Sequence, residues 1–117
     1  MDQQKLSAKR DKYRLLLEKS AGEIVTRLLP FNVEKVSLYG SYARGRADLF
    51  TDLDVLVIMD SDKPFVERVR DIYGVLAMPV DIDILCYTPL ELEQMKDTPF
   101  MKNILAGAVV LYEKKSG

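Results

Sequence analysis

The sequence contains no histidine, no tryptophan and a single cysteine, Cys86. Without histidine there is no Ser-His-Asp triad, no Cys-His pair and no His-ligated zinc. One thiol cannot close an internal disulfide, which fits a reducing compartment. Neither sign of charge dominates: 17 Lys and Arg stand against 18 Asp and Glu, for a net charge of −1. A global basic field that binds nucleic acid non-specifically is therefore absent. No apolar run approaches the roughly 20 residues that span a bilayer. Met1 to Arg10 carries charges with no apolar stretch behind it, so a signal peptide is not expected and the cytoplasm is the expected location. No internal repeat or low-complexity tract is present. What remains for chemistry is carboxylates, hydroxyls, backbone amides and hard metal ions.

A chain of 117 residues reads as a single domain, 1–117. At this size about two thirds of the unfolded surface can be buried, enough for a core without staples. Leu6 to Leu29 reads as a helix, because Tyr13, Leu17, Ala21, Ile24 and Leu28 recur at spacings of three and four. Its first half is basic, with Lys5, Lys9, Arg10, Lys12 and Arg14, and reads first as a solvated face. Pro30 ends it. Strands are expected at Val33 to Tyr39, Leu53 to Met59 and Val80 to Tyr87. The second is apolar almost throughout, as in a strand buried on both faces. Pro64 to Leu76 reads as a helix with Phe65, Val69, Ile72 and Leu76 in a stripe and Val66 and Tyr73 beside it. Thr88-Pro89-Leu90-Glu91 starts the next helix with a capping box. Thr98-Pro99 starts another over Phe100 to Ala106, and Ala108 to Tyr112 reads as a last strand. The expected class is α/β, or α+β by some schemes: a small mixed sheet flanked by helices.

The segment from Gly40 to Val57 carries the chemistry. Gly40-Ser41 follows a strand where a short helix can begin. Glycine admits a ligand close to the backbone, and amides at a helix start with the Ser41 hydroxyl suit phosphate oxygens. Asp52 and Asp54 flank Leu53, so strand alternation puts both carboxylates on one side, about 6.6 Å apart along the strand. Such a pair suits an oxygen-preferring cation such as Mg²⁺. Asp83 lies in an otherwise apolar strand, where an unpaired charge is costly. The length between Asp54 and Asp83 fits a crossover that sets their strands side by side. Asp81 shares the face of Asp83 and is its rival. Arg44 and Arg46 are candidates to pair with phosphate or acceptor. Tyr42 reads as packing, and Cys86 as a core residue.

Together these residues resemble the polymerase-beta type of nucleotidyltransferase, and within it the minimal nucleotidyltransferases (MNT proteins). Gly40-Ser41, the ten residues 42–51 and Asp52-Leu53-Asp54 follow that family's spacing. Tyr42-Ala43-Arg44-Gly45-Arg46 and Thr51 are similar to its usual filling. Asp83 to Pro89 resembles the context of its third carboxylate, and Ile104 to Glu113 its C-terminus. The resemblance covers about Val36 to Glu113 and implies the polymerase-beta-like nucleotidyltransferase fold.

It also implies roles. A nucleoside triphosphate, ATP first, would lay its phosphates on Gly40 and Ser41, with Arg44 and Arg46 nearby. Asp52, Asp54 and Asp83 would be catalytic and hold two Mg²⁺ ions, roughly 3.5–4 Å apart. Larger relatives carry a helical domain beyond the catalytic one. Here the resemblance implies a separate HEPN-type helical partner, a toxin for which this chain is the antitoxin, with AMP passed to a tyrosine of that toxin. A catalytically idle subunit that neutralises its partner by covering it is the alternative. No membrane partner is expected, nucleic acid is disfavoured as acceptor, and the oligomeric state is open, a homo-oligomer included.

Overall fold

The computed structural model describes residues 2–46 and 51–115. Residues 47–50, part of the spacer between Gly40-Ser41 and Asp52, lie outside the described residues, as do Met1 and the last two positions of the chain. The elements run α1 (Gln3–Leu28), β1 (Val33–Tyr39), α2 (Gly40–Ala43), β2 (Leu53–Met59), α3 (Phe65–Val75), β3 (Ile82–Tyr87), α4 (Pro89–Met95), α5 (Pro99–Ala106) and β4 (Val109–Glu113). The strands form one mixed sheet in the order β3-β2-β1-β4. β2 and β3 are parallel, while β1 is antiparallel to both β2 and β4. This is the expected small mixed sheet flanked by helices.

Every expected element is present; β1 and β2 have the expected bounds, and the others shift by a few residues at their ends. α1 begins before Leu6 because Asp2 caps it, its carboxylate accepting from the Gln4 amide at 3.0 Å. A polar cap ahead of the first apolar residue satisfies an otherwise orphaned amide. β3 begins at Ile82 instead of Val80. The Asp81 carbonyl instead accepts the Leu53 amide at 3.0 Å, at the entry to β2. The Thr88 capping box is complete, and Thr98 caps α5 through the Met101 amide.

Both faces of β2 are covered. On one, Leu53, Val55 and Val57 pack with Leu17, Ile24 and Leu28 of α1 and Ile72 of α3. On the other, Leu56 and Ile58 pack with Met101 and Ile104 of α5. The expected stripe of Phe65, Val69, Ile72 and Leu76 faces inward, but the residue read beside it departs. Val66 is 64% exposed, and Arg68 is buried at 3% in its place. Arg68 sits four residues before Ile72 and so shares its face. Its charge is met by Glu91 at 2.7 Å and its Nη1 donates to the Lys63 carbonyl at 3.1 Å, while Nε is buried with no partner among the described residues. Glu91 also accepts from the Thr88 amide, so one carboxylate joins α3 to the start of α4. At the outer edge of β3, the Tyr73 hydroxyl donates to the Ile82 carbonyl and accepts from the Ile84 amide. Among the described residues no helix is long and apolar enough to cross a membrane.

Candidate active site

The site grows from one row across the sheet. Tyr39 of β1 stands opposite Asp54 of β2, and Asp54 stands opposite Asp83 of β3. Alternation puts Asp54 on the face of Leu56 and Ile58, away from the α1 side. Strand pairing thus sets Asp83 beside Asp54, on the two adjacent strands that the crossover length fits. Asp81, its rival, lies outside the strand and one step further toward Asp52.

The Asp54 and Asp83 carboxyls are cross-strand neighbours, close enough for one to hydrogen-bond the other when it carries a proton. Burial, then the charges of Asp83 and Asp52, then that hydrogen bond push the Asp54 carboxyl up to about 6. Burial, followed by Asp83 and Asp81, also raises Asp52. Tyr39 is pushed up to about 12, first by burial and then by Asp54 and Asp83. A phenol so held stays protonated at neutral pH. Each shift has the sign of crowded negative charge in a partly desolvated place.

Gly40 is fitted to this crowd. Its φ is +76°, a region that favours glycine, and a Cβ there would collide with Asp54 Oδ2 and lie 3.1 Å from its Cγ. Glycine is therefore required twice, by conformation and by the carboxylate against it. Ser41 follows, exposed, in the one-turn helix α2. The turn closes through Gly45, φ +81°, whose amide donates to the Tyr42 carbonyl, and through the Arg46 amide, which donates to the Ser41 carbonyl at 2.9 Å.

The two arginines differ. Arg44 lies against Gly107, where a Cβ would come 2.8 Å from its Nε. It lines a cleft of about 250 Å³ with Tyr39, Gly40, Phe100, Asn103 and Ile104. The exposed Arg46 contributes backbone: its carbonyl accepts from Thr51 Oγ1 at 3.1 Å. Tyr42 packs partly buried against the core, as expected, and Cys86 is fully buried with its thiol pushed up to about 11 by burial.

Three participants escaped the sequence reading: Tyr39, and the cleft residues Phe100 and Asn103. Tyr39 carries a signal, since period two from Val33 puts it on the face opposite Val36. Phe100 and Asn103 carry none, because α5 reaches the cleft only through the fold.

The donor set fits a hard cation in kind. All candidates are carboxylate oxygens, and their mutual repulsion would be relieved by a divalent ion. Among the described residues no three acidic or sulfur side chains are already drawn together around a point. Asp54 and Asp83 are joined, and Asp52 is coupled to both through its field.

Residues 23–117 match the family described as polymerase beta, nucleotidyltransferase. No curated protein sequence matches. Two solved structures are similar. A protein from Sulfolobus solfataricus assigned as a nucleotidyltransferase superposes with a TM-score of 0.64 at 21% identity, covering 93% of this chain and 91% of that one. A mutant of the toxin–antitoxin pair MntA–HpeT gives a TM-score of 0.58 at 18% identity, covering 81% of this chain and 73% of that one. At these identities the likeness carries the fold.

Proposed function

Because the chain belongs to the polymerase beta nucleotidyltransferase family, we propose that it transfers a nucleoside monophosphate, AMP from ATP, to a hydroxyl acceptor. The observation that carries this is Asp54, pressed on the side-chain-free face of Gly40 and paired across the strands with Asp83. A phosphate on the Gly40-Ser41 backbone would lie directly beside the carboxylates.

In this reading Asp52, Asp54 and Asp83 would hold Mg²⁺. When bound, Mg²⁺ neutralises phosphate charge and lowers the pKa of a nearby hydroxyl. Gly40 and Ser41 hold the triphosphate through backbone amides and the Ser41 hydroxyl. Arg44, at the cleft, offsets the charge of the phosphates. The acceptor oxygen bonds to the α-phosphorus, the bond from α-phosphorus to the bridging oxygen breaks, and pyrophosphate leaves. The acceptor proton passes to Asp83, the exposed carboxylate of the pair, and then to water. Positioning and charge neutralisation do most of such work.

For the acceptor we propose a tyrosine of a helical, HEPN-type toxin, with this chain as its antitoxin. Support comes from the sequence resemblance to MNT proteins and from the shared fold with a component of the MntA–HpeT pair. A second reading, neutralisation by covering alone, draws on the exposed Val109 and Val110 of edge strand β4. Calorimetry with ATP and Mg²⁺ tests the first reading. Binding that disappears in the Asp52→Asn, Asp54→Asn double variant supports it, and an absence of binding to the unaltered chain refutes it. A double variant that still neutralises the toxin supports the second.

A further inference from the structure

Asp52 precedes β2, so the strand ladder alone does not fix it. Its two flanking peptides are nonetheless both tied. The Leu53 amide donates to the Asp81 carbonyl at 3.0 Å. The Thr51 carbonyl, in the peptide that leads into Asp52, accepts from the Tyr13 hydroxyl at 2.9 Å. With both peptide planes held, the direction in which Asp52 leaves the backbone is set.

The second tie comes from far away in the chain. Tyr13 lies on α1, 38 residues before Thr51. Its ring packs against the main core, and only its hydroxyl reaches the entry to β2. Thr51 is itself buried at 8%. A buried carbonyl needs a donor, and the phenol supplies one that a phenylalanine of the same shape would not. Tyr13 also lies before residues 23–117, the part matched by the family.

We propose that Tyr13 is a positioning residue for Asp52, acting through the Thr51 carbonyl, and that α1 is thereby a working part of the nucleotide site. The proposal rests on the reading of Asp52 as a carboxylate that holds a divalent cation. Groups that support a metal ligand from behind typically cost 10–100-fold in metal affinity when removed, and about tenfold is expected here.

The test is a titration of Mn²⁺ into the full chain with a non-hydrolysable ATP analogue, read by the enhancement of water-proton relaxation. Tyr13→Phe is compared with Asp52→Asn and with Thr88→Ala, which removes one hydrogen bond at the opposite end of β3. The expected result is Mn²⁺ affinity about tenfold weaker in Tyr13→Phe, lost in Asp52→Asn and unchanged in Thr88→Ala. Loss in Asp52→Asn with no change in Tyr13→Phe overturns the positioning role and leaves the function standing. Equal weakening in Tyr13→Phe and Thr88→Ala also overturns it, since general destabilisation would then explain the effect. Failure of the unaltered chain to bind Mn²⁺ with the analogue overturns both.

Discussion

Asp54 occupies the space that a side chain at Gly40 would fill. The contact joins the turn after β1 to the carboxylate row at that end of the sheet, so the phosphate candidate and the carboxylate candidate are one structural unit.

Gly40→Ala should therefore fail twice. A positive φ costs an alanine about 1–2 kcal/mol, and the new Cβ displaces the Asp54 carboxylate. Gly45 has a similar φ of +81° but open space around it. Gly45→Ala should show a comparable loss of stability with ATP affinity kept, whereas Gly40→Ala loses both. Denaturant melts and ATP titration separate the two.

Asp54 is a liability to the metal-free fold. Its carboxyl is raised from 3.8 to about 6, so the folded chain holds that proton more tightly than the unfolded chain. The resulting stability is full below the unfolded value of 3.8 and is lost as pH rises through about 6. Asp54→Asn should accordingly stabilise the chain in EDTA at pH 7.5, by roughly 1 kcal/mol or about 4 °C after solvent screening is allowed for. The gain should shrink toward pH 4. Thermal melts at the two pH values read it directly. Cation binding should weaken over the same interval as pH falls through about 6, because the proton competes for the carboxylate.

Arg44→Ala should weaken ATP binding about fivefold to tenfold, the scale of one charge-assisted contact. Arg46→Ala should change it little, since Arg46 serves the turn through its backbone. Calorimetric titration of both variants checks the difference.

Glu91→Ala should cost about 3 kcal/mol, because it strands the buried Arg68 guanidinium. It also removes the acceptor of the Thr88 amide. Arg68→Met should cost less, since no charge is left behind. Urea melts measure both, and ATP affinity should be untouched in each.

The sequence makes local chemistry legible and hides what distant residues do to each other. The Thr88 and Thr98 caps, the apolar run of β2 and the adjacency of β2 and β3 follow from spacing, propensity and crossover length. The buried Arg68 does not, because an arginine reads as solvent-facing until its partner is known, and Glu91 lies 23 residues away. Tyr13 reads as a core residue from its helical spacing, and so it is for its ring. Its hydroxyl gains a role only when α1 is laid beside Thr51. The Asp2 cap is not legible from the apolar periodicity, which begins after it. Spacing alone leaves Asp81 and Asp83 as rivals, and strand pairing with Asp54 favours Asp83.

The central claim is nucleotidyl transfer at the carboxylate row. The direct measurement is incubation of the chain, Mg²⁺ and a HEPN-type partner protein with ATP labelled at the α-phosphate, and separately at the γ-phosphate. The account predicts label on a partner tyrosine from the α-phosphate alone, lost in the Asp52→Asn, Asp54→Asn double variant. An unlabelled partner under conditions where ATP binds, or label that persists in the double variant, would contradict it.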